Sequence, residues 1–144
     1  MVFHPFPRMD ALDRPMDIEA LVPHRGRMLL ISKIIAYDDR QAAAAAVVAE
    51  HWPLTTEAGA NPLVLIELVA QTAALNNGWE LIRRQGPNGD HRGWIVGIKS
   101  AQLFVDRIAV GTTITIEARN QFQYDSFREI HGMARIGAHV AAEV

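Results

Sequence analysis

Two hydrophobic rhythms share this chain, one that alternates and one that is apolar all round. "MLLISKIIAYDD" (28–39) is dense in Leu and Ile and runs into a turn signal at Asp38-Asp39, which predicts a strand. "RQAAAAAVVAEH" (40–51) reads two ways. Its alanine run favours a helix by propensity, but the short gap after the preceding segment favours a hairpin partner, and a strand is predicted. "TTITIEARNQFQY" alternates as a half-buried strand does. Strands are accordingly predicted at 93–105, 112–124 and 127–144, with Gly111 and "YDS" as turns. Between the two sets lies "NPLVLIELVAQTAAL". Pro62 suits a first helical turn and Asn61 an N-cap, so a helix is predicted to run to about Arg84, with Gly78 its weak point and "QGPNGD" its stop.

Upstream, "MDIEALVPHRGR" predicts a short helix from about Asp17, stopped by Pro23. Residues 1–15, with three prolines, read as an N-terminal arm, and 16–144 as a single domain without repeats or linkers. The long helix decides the architecture. Apolar residues from Leu63 to Leu75 cover its whole circumference, so it must be buried on nearly every side. The prediction is an α+β domain whose antiparallel sheet wraps around a long central helix.

Composition removes several classes of function. The 144 residues carry a net charge of −2 and no basic stripe, so nucleic acid is not an expected partner. The absence of cysteine excludes disulfides, thiolate catalysis and Cys-ligated zinc, and the six histidines show no HxH or HExxH spacing. No metal is therefore expected. The apolar run is interrupted by Glu67 and Gln71 and falls short of the ~20 residues of a membrane span. The N-terminus lacks the apolar core of a secretory signal. A soluble cytoplasmic protein is expected.

Glu67 and Gln71 are the anomaly in the central helix. Four residues apart, they share one helical face. Burial of Glu67 would favour its neutral form, which is what a general acid requires. Gln71 could hold that acid or bind a substrate oxygen. As plain structure, Glu67 could instead pair with Arg25, Arg27 or Arg107. His51, just upstream, has a side chain suited to act as a base. The pair suits elimination of water from a 3-hydroxyacyl compound, His51 taking the α-proton and Glu67 protonating the hydroxyl. Backbone N–H groups at the helix start, around Leu63 and Val64, could support charge on a thioester carbonyl.

Several motifs resemble those of the hotdog-fold 3-hydroxyacyl-[acyl-carrier-protein] dehydratases of fatty-acid synthesis, closest to relatives in polyketide-like and aryl-polyene pathways. "DIEALVPHRGRMLLISKI" is similar to the family's opening "I…LLPHR.P.LL.D.V". "LVLIELVAQTAAL" resembles its central-helix "VLIIEAMAQ.A", and "KSAQLFVDRIAVGTTITIEA" its "VKFRRPV.PGD.L". The resemblance runs from about Met16 to the C-terminus. It implies that Glu67 is the catalytic acid and that His51 takes the catalytic histidine's place. Around His51, "EHWPLTTEAGANPLVL" departs from "GHFPG.P..PGVL". Trp52 replaces a Phe, Leu54 stands where the family has the glycine whose N–H polarises the carbonyl, and the loop is two residues longer.

The resemblance further implies a homodimer, open to further assembly, with each site built from the histidine of one subunit and the acid of the other. It implies an acyl tunnel along the central helix. No cofactor is expected beyond the phosphopantetheine arm of an acyl carrier protein, which would deliver the substrate to a basic mouth drawn from Arg83, Arg84, Arg92, Lys99 or Arg107. Two alternatives stand beside the dehydratase: a hotdog thioesterase using Glu67 alone, and a catalytically silent acyl-binding or partner subunit.

Overall fold

A computed structural model describes residues 17–144, so the predicted arm at 1–15 lies outside the described residues. Asp38 reverses the chain first. Its Oδ1 accepts the N–H groups of Arg40 and Gln41 at 2.7 and 2.9 Å, an Asx turn that folds Lys33–Tyr37 (β1) onto Gln41–Val47 (β2). The alanine run is thus a strand. Ala42, Ala44 and Ala46 are wholly buried on one face, where small side chains let the central helix lie close to the sheet. Tertiary packing overrides alanine's helix propensity here.

Two short strands, Thr55–Thr56 (β3) and Gly59–Ala60 (β4), pair in the loop that follows. Next come the long helix Val64–Gln85 and the strands Gln102–Leu103 (β5), Thr113–Tyr124 (β6), Phe127–Ile136 (β7) and His139–Glu143 (β8). The main sheet is antiparallel, in the order β1-β2-β6-β7-β8-β5. The short helix before β1 is Ile18–Leu21 (α1), which makes Val64–Gln85 α2. Buried residues of α2, among them Leu65, Leu68, Val69 and Leu75, meet Ile114, Ile116, Ala118 and Ala134 from the sheet in one core.

Three sequence expectations change in detail. Gly78 is a point of close approach rather than a weak point, because a Cβ there would overlap the carbonyl oxygen of Leu21 in α1. The strand predicted at 127–144 is two strands, parted at Gly137 with φ 60°. The strand predicted at 93–105 is reduced to β5, where Gln102 and Leu103 pair with β8 and the Phe104 N–H reaches the Ala141 carbonyl at 2.9 Å. Residues 94–101 form no backbone hydrogen bond with the described residues. Strand character needs a neighbour, and among the described residues this stretch has none.

Candidate active site

Glu67 lies in the first turn of α2, whose start is held by Asn61. The Asn61 Oδ1 accepts the Leu63 N–H at 3.0 Å and its carbonyl accepts the Val64 N–H at 3.1 Å. Gln71, one turn beyond Glu67, is wholly buried. Its carbonyl oxygen accepts the backbone N–H groups of Leu30 and Ile31 at 2.9 and 3.3 Å. That fixes which end of the amide is nitrogen. The nitrogen donates to the Met28 carbonyl at 2.6 Å and to Glu67 Oε1 at 2.9 Å. Every hydrogen-bonding position of this amide is filled by protein, so Gln71 holds the acid and has nothing left for a substrate oxygen.

The ionisable partner of Glu67 is His24, with Nε2 at 3.1 Å from Oε1. None of the three arginines considered takes that place. Arg25 instead donates to the carbonyls of Glu19, Val22 and His24 at 2.8, 2.8 and 2.7 Å, which braces the turn carrying His24. Glu67 is not fully buried as the sequence implied: its side chain is 29% exposed, so one edge of the carboxyl reaches the surface. The histidine was legible only as part of "PHR". Forty-three residues separate it from Glu67 in the chain, and no local periodicity reports such a contact.

The loop from His51 to Ala60 is folded rather than slack. Trp52 is buried in the core, so it fills space beneath the loop. His51 is exposed in the turn above it, and its carbonyl accepts Arg27 Nε at 3.3 Å. Within one chain His51 makes no hydrogen bond or ion pair with Glu67. β4 is anchored by Ala60, which exchanges two backbone hydrogen bonds with Ile108 at 2.8 and 3.1 Å. Leu54 adopts φ 56°, the left-handed region that glycine favours. Its carbonyl accepts the Asn61 N–H at 2.9 Å, while its own N–H meets no backbone acceptor among the described residues. The oxyanion donors predicted at Leu63 and Val64 are already spent on Asn61. Leu54 N–H is the unspent one.

These elements are those of a known group. The family model for ApeP-like proteins, described as ApeP dehydratase, matches residues 16–143. The chain belongs to the ApeP-like dehydratase family. No curated protein matches it. Among solved structures it is similar to a chain of the dehydratase heterocomplex ApeI:P from Xenorhabdus doucetiae, at TM-score 0.78 and 19% identity over 90% of this chain and 88% of that one. A sigma28-regulated virulence protein from Campylobacter jejuni aligns at TM-score 0.62 and 14% identity, over 88% and 90%. The PaaI protein of the phenylacetic acid degradation operon of Escherichia coli aligns at 0.56 and 16%, over 77% and 76%. The fold is the hotdog fold, with a dehydratase family's sequence laid over it.

In this member of the family a cavity of about 650 Å³ lies beside the helix face next to Glu67. Ile66, Val69 and Ala70 line it on the helix side, and residues 94–100 and the β6–β7 residues 121–122 and 127–131 line the rest with Val144. Lys99 pairs with Glu129 at 2.6 Å across this region. Of the other basic residues considered for a tunnel mouth, Arg84 is tied to Glu80 and Arg92 to Asp90. The Arg92 guanidinium holds the Asp90 carboxyl down to about 2. No helix of the described residues is long and apolar enough to cross a membrane.

Proposed function

We propose that the chain eliminates water from a 3-hydroxyacyl thioester delivered on an acyl carrier protein, giving the 2-enoyl thioester, in cytoplasmic fatty-acid or polyketide-like synthesis. One observation carries this reading within a dehydratase family: a partly exposed carboxyl group on the central helix, clamped through one oxygen by Gln71 and His24, with the other left without a polar partner among the described residues. In the proposed step the histidine at 51 removes the α-proton, and the electron pair forms the Cα=Cβ bond. The Cβ–O bond breaks as Glu67 gives its proton to the departing hydroxyl. The Leu54 N–H supports negative charge on the thioester carbonyl. The leucine keeps the backbone conformation a glycine would take, which counts against a silent subunit. The cavity beside Ile66 and Ala70 offers room for the acyl chain.

In this scheme His51 shares a site with the Glu67 of a second subunit. Residues 94–98 support such an assembly. Trp94, Ile95, Val96 and Ile98 are 84, 59, 77 and 51% exposed, on a backbone stretch with no hydrogen-bonded neighbour among the described residues. A strand edge of that kind is a template for pairing. The decisive experiment is intact-mass spectrometry of a carrier protein bearing a 3-hydroxyacyl chain, after incubation with the protein. Loss of one water's mass with the thioester intact is expected. Loss of the whole acyl group would make the protein a thioesterase, and no change at several chain lengths would reject turnover by this chain alone.

A further inference from the structure

Glu67 has two carboxyl oxygens, and the described residues engage one. Oε1 receives the Gln71 amide at 2.9 Å and faces His24 Nε2 at 3.1 Å. Oε2 has no polar partner among the described residues. The other ring nitrogen of His24, Nδ1, is buried and has no hydrogen-bond partner among the described residues. A buried N–H without an acceptor is rarer in folded proteins than a buried acceptor without a donor. The neutral ring of His24 therefore carries its hydrogen on Nε2, toward Glu67, because the nitrogen with a partner sets the tautomer. A proton on Nδ1 instead would leave that buried N–H unmet and set two lone pairs against each other at Oε1.

We infer that His24 is the positioning residue of the acid: as an Nε2–H donor it joins Gln71 in filling Oε1, so that the transferable proton of Glu67 resides on Oε2. This rests on the dehydratase reading for its use in catalysis. In the elimination, the Oε2–H bond breaks toward the leaving hydroxyl, water departs, and the new carboxylate keeps both donors on Oε1. The same two donors prevent the carboxyl from turning its proton inward. His24 itself is held by the Arg25 brace to three backbone carbonyls, so the donor is placed before substrate arrives. The α-proton goes to the separate base, and His24 exchanges no proton with the substrate.

The test pairs two substitutions with a spectroscopic readout. His24→Phe keeps the ring's bulk without a donor, and His24→Gln restores an amide donor. His24→Phe is expected to lower kcat about 10- to 100-fold, the scale of a misplaced catalytic group, with KM within about twofold of wild type on the same reasoning. His24→Gln should recover most of the loss. Long-range ¹H–¹⁵N correlation spectra of the wild-type protein, with the His24 signal identified by its absence in either variant, are expected to show the Nε2–H tautomer at neutral pH. An Nδ1–H tautomer or an imidazolium there would overturn the inference, as would wild-type kcat in His24→Phe. If the wild-type protein shows the Nε2–H tautomer but dehydrates nothing, the dehydratase reading fails and the hydrogen-bond assignment stands.

Discussion

Two stretches flank the central helix, 23–31 on one side and 93–101 on the other, and they are finished to different degrees. The first is tied down by α2 itself. Gln71 satisfies Met28, Leu30 and Ile31 at once, Arg25 clamps the turn before them, and His24 reaches Glu67. The second carries four exposed apolar side chains between Trp94 and Ile98, and its residues 94–101 have no backbone partner among the described residues. The lesson is a division of labour. One chain suffices to set the acid in place, whereas the second stretch leaves an apolar edge that, in the proposed assembly, a second subunit would complete.

The largest effect should come from the pinned side. Glu67→Gln is expected to cut water elimination by about 10²- to 10⁴-fold, the contribution of a general acid, with the thermal melt and oligomeric state unchanged. Equal activity by the intact-mass assay would remove Glu67 from the chemistry. The open side is tested by its own variant. Trp94→Asp combined with Val96→Asp would set like charges along a pairing edge, which costs several kcal/mol. If the proposed dimer forms through this edge, light scattering should find the wild type dimeric and the double variant monomeric. A double variant that stays dimeric would show that the subunits meet elsewhere.

Gln71→Leu asks how much the clamp stabilises the fold. It strands two buried N–H groups and one carbonyl, each otherwise satisfied, and should lower unfolding stability by about 3 kcal/mol in urea. A loss below about 1 kcal/mol would mean that water replaces the amide at little cost. The smallest effect concerns Tyr37, packed edge-on against Trp79 with ring centroids 5.5 Å apart. Its hydroxyl is buried without a partner among the described residues, and burial pushes its pKa up from the usual value. The folded state thus holds the phenolic proton more tightly than the unfolded chain. That stability is present below about pH 10 and is lost as the pH rises through the higher folded value. Tyr37→Phe should leave stability at pH 7 unchanged or raise it by up to about 1 kcal/mol. The variant should also lose less stability than wild type above pH 10 in parallel thermal melts.

Much of this molecule is written locally. The Asx turn at Asp38, the Asn61-Pro62 helix start and the shared face of Glu67 and Gln71 each depend on residues within four positions of one another. Local rules reach that far. They failed where the answer lay across the fold. Gln71 looked free to bind substrate because Leu30 and Ile31, its acceptor's partners, are about forty positions away. Leu63 and Val64 looked free to bind an oxyanion, although Asn61 claims both N–H groups. Residues 93–101 read as a strand because composition records the wish for a neighbour and not its presence.

By itself the sequence determined that a carboxyl and an amide would lie one turn apart on an apolar helix, because helical geometry repeats every 3.6 residues whatever surrounds it. Which histidine meets that carboxyl was decided only in three dimensions. His24 and His51 lie 43 and 16 residues from Glu67 in the chain, yet the nearer one points to solvent. The farther one is brought in because Gly78 lets α1 settle against α2 and Gln71 ties the following segment alongside. Contacts between distant segments are set by packing, which residue spacing does not encode.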